Sequence, residues 1–386
     1  MAAAALLVSA AGGLEASSQG AVVPRRSLSV QLAGARQEAS HRSASIAACR
    51  HRHRRGAHCA AAGRRHGTAA AVSPQRLYWG AWIGSQLTGA EAPWDFRAVS
   101  RFEQNAGRGV SIVSFASPFM NCTTPNCSSY NFPRTPFAAI RAHGAIPLLS
   151  WSSAAEPTTP LQPGFRLQDV IGGRFDAYLL KWAAAAREWG HPFFLRFDWE
   201  MNASSFPWSV HANGNTPSEY VTAWRHVHDL FTRVGATNAT WVWCPNADAG
   251  QSPSSLASLY PGNSYVDWTC LDGYNANNPW RSFQSVFQSY YSAISERIAP
   301  SKPMLVGETA STEAGGSKAS WISGMFSSLP RMPDIHALIW FDRPTGGDWP
   351  LETSPGAQTA FKRGVSAGTF AGNEFSGLET SPIPAP

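Results

Sequence analysis

Short apolar runs separated by polar, helix-like segments dominate the chain beyond residue 75. The apolar residues of each run are continuous rather than alternating with polar ones, which is typical of parallel strands covered on both faces. The eight runs are RLYWGAWIG (76–84), VSIVSFA (110–116), AIPLLSW (145–151), FFLRFDWE (193–200), TWVWCPN (240–246), WTCLDGYN (268–275), PMLVGET (303–309) and IHALIWFD (335–342). They predict eight buried strands.

The segments between these runs carry apolar residues at helical spacing. The clearest helix follows the fourth run, where Thr216 can cap it, Pro217 suits its first turn, Glu219 completes a capping box and Gly235 can end it. Eight strands alternating with helices predict an α/β fold, a single (β/α)8 TIM barrel over residues 76–372. A doubly wound open sheet is the alternative, but its Gly-rich phosphate turn has only a loose match in GAWIGSQLTGA.

Residues 1–75 differ from the rest of the chain in composition. They hold ten Arg, no Lys and two acidic residues, a net charge of +8, and they contain no Phe, Trp or Tyr. Without large apolar side chains, this segment cannot bury enough area to offset the entropy of ordering it. We therefore expect a disordered leader: a signal peptide, an organelle transit peptide or a mis-assigned translation start. Residues 373–386 are expected to form a flexible tail.

The body of the chain is close to neutral, since taking +8 from the total of +6 leaves −2. The basic pI therefore describes the leader, and nucleic-acid binding by the folded part is not expected. No stretch is long and apolar enough to span a bilayer, so a membrane partner is not expected either. We predict a secreted monomer.

The cysteines bear on the compartment and on metal binding. Cys122 and Cys127 flank a short polar loop, and an oxidising compartment would favour a disulfide between them. No second Cys or His pair accompanies these two, so we expect no metal and no cofactor. Cys244 and Cys270 lie in separate apolar runs and are interpreted as buried thiols rather than a bridge.

The chemistry of a (β/α)8 barrel is located at the carboxyl ends of its strands. Here those ends are rich in carboxylates, amides and tryptophans, and they include Glu200 in the fourth run and Glu308 in the seventh. Tryptophan faces can stack on sugar rings, and breaking a glycosidic bond takes two carboxyl groups, one protonated and one ionised. The pattern favours carbohydrate chemistry. A metal-dependent barrel hydrolase is disfavoured because the sequence shows no ligand cluster.

The strings LRFDWEMN and FPW, followed by WVWCPN, LDGYN, VGET and IWFD, resemble glycoside hydrolase family 26 over most of residues 76–370. This is the β-mannanase family of the retaining (β/α)8 clan. The resemblance implies Glu200 as the acid/base and Glu308 as the nucleophile. It also implies that Tyr274 hydrogen-bonds the nucleophile or the sugar, and that Trp340 floors the subsite where the bond breaks.

Two positions depart from the family pattern. Trp199 stands where the best-known mannanases have His, and Ala203 follows Asn202 where Gly is usual. Both changes leave the catalytic pair intact. The expected function is a retaining, endo-acting hydrolase of a plant-type β-linked polysaccharide, with β-1,4-mannan as the first substrate. Mixed-linkage β-glucan, β-1,3-xylan and a non-catalytic carbohydrate-binding barrel are the alternatives.

Residues at strand ends and loop mouths are the candidates for binding the sugar chain. Arg196 and Asp198 share one face of their strand, because side chains alternate, and they form either a support for the site or a structural ion pair. The candidate substrate-binding residues are Trp82, Trp151, Arg196, Asp198, Trp199, Asn202, Phe206, Trp208, Asn246, Tyr274 and Trp340.

Overall fold

The computed structural model describes residues 76–124, 126–276 and 279–386, so the expected leader lies outside the described residues. The strands are β1 (Tyr78–Ile83), β2 (Ile112–Asn121), β3 (Ser128–Ser129), β4 (Ile146–Glu156), β5 (Phe193–Phe197), β6 (Ala239–Trp243), β7 (Trp268–Asn275), β8 (Met304–Ser311) and β9 (Ile335–Asp342).

Eight of these strands close into a parallel barrel. Around it they follow chain order, with β4 beside β2, and β1 completes the circle by pairing with both β2 and β9. The remaining strand, β3, is a two-residue antiparallel addition to the end of β2. The prediction of a (β/α)8 barrel is therefore confirmed.

Helices follow the strands in sequence. They are α1 (Phe96–Ala106), α2 (Arg134–Ala142), α3 (Leu167–Ile171), α4 (Asp176–Trp189), α5 (Pro217–Val234), α6 (Phe283–Ala293), α7 (Lys318–Ser328) and α8 (Pro355–Val365). Across the described ranges, none of them has both the length and the apolar character that a bilayer crossing requires.

The longest helix, α5, forms where the sequence predicts it. The Thr216 side chain accepts a hydrogen bond from the Glu219 N–H, and Glu219 in turn accepts from the Thr216 N–H at 2.7 Å. Pro217 occupies the first turn, and Gly235 ends the helix with a φ of 71°. This reciprocal capping fixes where α5 starts, and therefore how far the chain runs between β5 and the helix.

The buried strands divide their side chains between two apolar layers. On β5, Phe197 points outward and its ring contacts Trp151 of β4 and Trp224 of α5. Phe194 points inward and contacts Trp268 at the start of β7. Because the period of a strand is two, Arg196 shares the inward face with Phe194. The barrel interior is thus apolar at its amino end and charged at its carboxyl end.

The C-terminal segment, residues 373–386, differs from the expected flexible tail. It is packed against the amino end of the barrel, where Ile383 is buried. The Trp268 indole N–H donates to the Ile383 carbonyl at 2.7 Å, and the Ile383 N–H donates to the Thr240 hydroxyl at 2.9 Å. The buried Ile383 side chain and these two hydrogen bonds hold the segment in place.

Two disulfides are formed among the described residues. Cys122–Cys127 closes the loop after β2, as expected for an oxidising compartment. Cys244 and Cys270 are also joined, so their interpretation as free thiols is wrong. The strand register explains the pairing: Trp243 of β6 lies opposite Thr269 of β7, which places the next residues side by side with Cα atoms 4.2 Å apart.

Candidate active site

A fully buried arginine organises the carboxyl end of the barrel. Arg196 donates from Nη1 to Asp272 at 2.6 Å, from Nη2 to Glu308, and from Nε to the Ser150 hydroxyl at 2.8 Å. Burial alone would lower the pKa of Arg196, but the Asp272 and Glu308 carboxylates outweigh it and raise the pKa. The guanidinium therefore stays charged and ties β5 to β4, β7 and β8.

A glycine allows this cluster to form. Gly307 precedes Glu308 on β8, and a Cβ atom at Gly307 would lie 2.5 Å from Cys270 Sγ and 2.6 Å from Asp272 Oδ1. It would also lie 3.0 Å from Arg196 Nη1. Any larger residue would displace the ion pair, so the glycine of the VGET string is explained by the close approach of β7 and β5 side chains.

Tyr274 makes a second bond to the Glu308 carboxylate. Its phenol donates to Oε2, while Arg196 donates to Oε1. Burial and the surrounding carboxylates raise the pKa of Tyr274 well above its usual value, so the phenol keeps its proton and acts as a donor. The Tyr274 ring lies against Phe341 and Trp349. Glu308 is thus held in one orientation by two donors.

Glu200 lies in the turn that follows β5. It is buried, and its backbone N–H donates to the Cys244 carbonyl at 2.7 Å. Burial, together with the negative charge of Glu308, raises the pKa of Glu200 from 4.5 to about 7. Hydrogen bonding to Asn246 and the attraction of Arg196 act in the opposite direction but are weaker. The Glu200 carboxyl consequently holds a proton up to about neutral pH.

The charge balance of the site explains which carboxyl is protonated. Glu200, Asp272 and Glu308 interact with one another and share a single guanidinium, that of Arg196. Asp272 and Glu308 each form an ion pair with it, whereas Glu200 forms none. Burial and mutual repulsion raise the pKa values of both Glu200 and Asp272, and the proton is favoured on Glu200 because Asp272 has the Arg196 guanidinium as its partner. The site therefore presents one glutamate with a raised pKa beside a second glutamate bound to a guanidinium, a combination suited to acid-assisted nucleophilic displacement.

The Arg196–Asp198 ion pair, one of the two alternatives from the sequence, is not formed. Asp198 is buried and directs both carboxylate oxygens to Ser153, accepting from its N–H and from its hydroxyl at 2.7 Å each. Burial raises the pKa of Asp198 to about 7. The left-handed conformation of Asp198, with a φ of 40°, turns its side chain away from the inward face of β5. As a result, Arg196 is available to the carboxylates of β7 and β8.

The two predicted asparagines, Asn202 and Asn246, are hydrogen-bonded to each other. Asn202 is buried, donates from Nδ2 to the Asn246 carbonyl and accepts from the Asn246 N–H, both at 2.8 Å. Asn246 is partly exposed, and its side chain also accepts from the Asp248 N–H. Asn202 therefore joins the loops after β5 and β6, and Asn246 is the one of the two that reaches Glu200.

Two of the predicted tryptophan platforms lie outside the barrel interior. Trp151 is fully buried and stacks on Trp182 of α4 with ring centroids 4.4 Å apart. Trp340 is fully buried against Phe361 of α8. The expectation that Trp340 floors the reactive subsite is therefore wrong. The side chains of β9 alternate, and Trp340 falls on the face that meets the helices.

Phe341 occupies the inward position that sequence reasoning assigned to its neighbour. Its ring contacts those of Tyr274 and Trp82, with centroids 5.5 Å and 5.7 Å away. Trp82 itself faces the interior and carries the Arg343 guanidinium over its ring at 5.2 Å. Phe341, Asp272 and Trp349 lie at the site but are not among the predicted catalytic or substrate-binding residues. Strand alternation would have placed Phe341 in the barrel interior if the inward face of β9 had been known.

The remaining predicted aromatics form one cluster beside Glu200. Phe206 and Trp208 stack with centroids 4.5 Å apart, and both contact Trp199. The Trp208 indole donates to the Trp199 carbonyl at 2.6 Å, and Arg196 lies over the Trp199 ring at 5.1 Å. Arg196 therefore packs against an aromatic cluster supplied by the chain that follows β5.

The fold and the site together define a class: a (β/α)8 barrel that presents two glutamates from the ends of β5 and β8. Comparison with known proteins gives the particular family. Residues 164–314 match the family model described as Glycosyl hydrolase family 26. The chain belongs to this family, and the expectation drawn from its motifs is confirmed.

Individual relatives agree with this assignment. The chain is 31% identical to Endoglucanase H of Acetivibrio thermocellus over 75% of its own length and 30% of that protein. It is 26% identical to a mannan endo-1,4-beta-mannosidase of Bacillus subtilis over 50% of each. The chain thus spans half or less of the length of these relatives.

A solved structure shows the same fold. The catalytic domain of the Bacillus sp. JAMB-750 GH26 endo-beta-1,4-mannanase superposes with a TM-score of 0.58 at 18% identity. The superposition covers 78% of this chain and 89% of that one.

The close packing around Gly307 predicts a stability effect. Gly307→Ala should lower the free energy of unfolding by about 1–3 kcal/mol, because the added methyl group overpacks the ion-pair cluster. Gly324→Ala on the exposed face of α7 is the matched control, since a Cβ there meets nothing within 4 Å. That control should be neutral or stabilising by up to about 1 kcal/mol. Urea denaturation measures both, and equal effects would contradict the role assigned to Gly307.

Proposed function

We propose that this chain is a retaining, endo-acting β-glycoside hydrolase that cleaves β-linked polysaccharide by double displacement. The observation that supports the proposal is the presence of two buried glutamates at one barrel mouth: Glu200, whose pKa burial and the Glu308 charge raise, and Glu308, which forms an ion pair with Arg196. Glycoside cleavage requires one protonated and one ionised carboxyl group.

In the first step Glu200 acts as the acid. It transfers its proton to the glycosidic oxygen while the bond between that oxygen and the anomeric carbon breaks. Glu308 forms a covalent bond from a carboxylate oxygen to the anomeric carbon. Arg196 and Tyr274 hold Glu308 aligned for this attack, because each donates to a different carboxylate oxygen.

In the second step Glu200, now ionised, acts as the base. It takes a proton from a water molecule whose oxygen attacks the anomeric carbon, and the bond to Glu308 breaks. Glu308 regains its negative charge beside Arg196, and Glu200 regains its proton. Two displacements at one carbon return the β configuration.

β-1,4-Mannan is the first substrate that we propose, in accord with the mannan-degrading relative from Bacillus subtilis. Mixed-linkage β-glucan is the second candidate. Two observations favour it. The chain is more identical, over more of its length, to the relative named Endoglucanase H than to the mannan-degrading relative. Trp199 also stands where the best-known mannanases have His. The two disulfides among the described residues support an oxidising, extracellular compartment.

A polysaccharide panel tests the proposed function. The full chain should release reducing ends from galactomannan, glucomannan, mixed-linkage β-glucan or β-1,3-xylan, and product sizing should show oligosaccharides early in the digest. Glu308→Ala should lower turnover by at least about 10⁴-fold, because it removes the nucleophile, while binding to the same polysaccharide is retained. Wild-type binding without turnover would instead identify a carbohydrate-binding barrel.

The raised pKa of Glu200 predicts the pH dependence. Because Glu200 must be protonated in the first step, kcat/KM should fall as the pH rises through about 7. A dinitrophenyl glycoside of the same sugar is the control: its leaving group needs no proton, so this alkaline limb should disappear. If kcat/KM for the dinitrophenyl glycoside fell in the same way at alkaline pH, Glu200 would be excluded as the titrating acid.

The same shift has a consequence for stability. The pKa of Glu200 is raised in the folded state, so its contribution to folding is complete below the unfolded value of 4.5 and is lost as the pH rises through about 7.

A further inference from the structure

The chain is strained where it leaves β5. Of the described residues, three that are not glycine have a clearly positive φ: Asp198 at 40°, Glu200 at 52° and Asn213 at 54°. The left-handed conformation is unfavourable for an L-residue because it brings Cβ close to the following carbonyl oxygen. Two such residues bracket Trp199 at the point where the chain delivers Glu200 to the site. This conformation persists only if neighbouring groups hold it.

The Asp198 side chain is one group that holds this conformation. Both of its carboxylate oxygens are bound by Ser153 of β4, one by the backbone N–H and one by the hydroxyl, at 2.7 Å each. The Asp198 N–H donates to the Trp151 carbonyl at 3.0 Å, and the Asp198 carbonyl accepts from the Tyr220 hydroxyl at 3.3 Å. Every polar group of Asp198 is therefore bound to β4 or α5.

The other end of the turn is held by Cys244, the residue directly after β6. The Glu200 N–H donates to the Cys244 carbonyl at 2.7 Å. Between these anchors, the Trp199 carbonyl accepts from the Trp208 indole, and the Trp199 ring lies over Arg196. The direction of the Glu200 side chain thus depends on two backbone anchors and on the carboxylate of Asp198, which is two residues away.

We propose that Asp198 is a positioning residue, whose two bonds to Ser153 aim the Glu200 carboxyl at the glycosidic oxygen. The proposal rests on the proposed hydrolase function and adds a residue to it. Asp198 itself makes no contact with substrate in this account, because it is buried and Ser153 occupies both oxygens. Its effect is therefore confined to proton transfer by Glu200, and attack by Glu308 does not depend on it.

The variants follow from the hydrogen bonds. Asp198→Ala removes both bonds to Ser153. Asp198→Asn keeps them, since its amide oxygen accepts from the Ser153 N–H and its amide nitrogen donates to the hydroxyl oxygen. Ser153→Ala removes one bond and leaves the other, so it reports on the same restraint even where Asp198→Ala fails to fold.

A control variant separates positioning from general stability. Asp267 also bridges two strands with a carboxylate, accepting from the Trp241 N–H at 2.8 Å, but it lies at the amino end of the barrel. Asp267→Ala should lower the melting temperature and change neither leaving-group preference nor KM.

The experiment compares two substrates that differ in the leaving group alone: phenyl and 2,4-dinitrophenyl β-glycosides of cellotriose and of mannotriose. The phenyl group needs the proton of Glu200 to depart, whereas the dinitrophenyl group does not. Because a misplacement of about 1 Å can cost about 100-fold, Asp198→Ala should lower kcat/KM for the phenyl substrate by about that factor. For the dinitrophenyl substrate the loss should stay below about threefold, with Asp198→Asn close to wild type on both.

The outcomes separate the two proposals. Equal losses of kcat/KM on both substrates, or an Asp198→Asn variant as defective as Asp198→Ala, would overturn the positioning role while leaving the hydrolase function intact. The positioning role would also be overturned if Ser153→Ala lowered kcat/KM for the phenyl substrate no more than for the dinitrophenyl substrate. A wild-type chain that hydrolyses none of the glycosides and none of the polysaccharides would overturn the proposed function and this inference together.

Discussion

The ion pairs of Arg196 are the interaction on which the rest of the site depends. A guanidinium buried without partners would carry a desolvation cost on the order of several kcal/mol. Arg196 is tolerated in the barrel interior because Asp272, Glu308 and Ser150 satisfy it from three strands. That requirement explains why residue 307 is a glycine and why β7 carries Asp272 next to the guanidinium.

The same guanidinium sets the difference between the two glutamates. Glu308 is bound to Arg196 and Tyr274, whereas Glu200 is buried and, among the described residues, forms no ion pair. Water exclusion strengthens the repulsion between the two carboxyls, so the one without a cationic partner holds the proton. One residue type thus supplies both an acid and a nucleophile because the two environments differ.

The sequence predicted the barrel and the glutamate pair because both depend on signals that are local in the chain: eight apolar runs and carboxylates at their ends. It failed where a single residue step decides orientation. On β9, Trp340 and Phe341 are both large and aromatic, and nothing in the run marks the inward face. The sequence placed Asp198 on the same strand face as Arg196, but its left-handed backbone breaks the alternation of side chains assumed for β5. The Cys244–Cys270 disulfide depends on strand register, which the sequence does not specify.

Trapping the covalent intermediate tests the central claim most directly. The full chain would be incubated with a dinitrophenyl 2-deoxy-2-fluoro-β-glycoside of the sugar that it hydrolyses, then digested and sequenced by mass spectrometry. Our account predicts a fluoroglycosyl group attached to Glu308, within the peptide that contains residues 303–309. A label on Glu200 or on any other residue, or continued turnover in which water attacks directly and inverts the anomeric configuration, would contradict it.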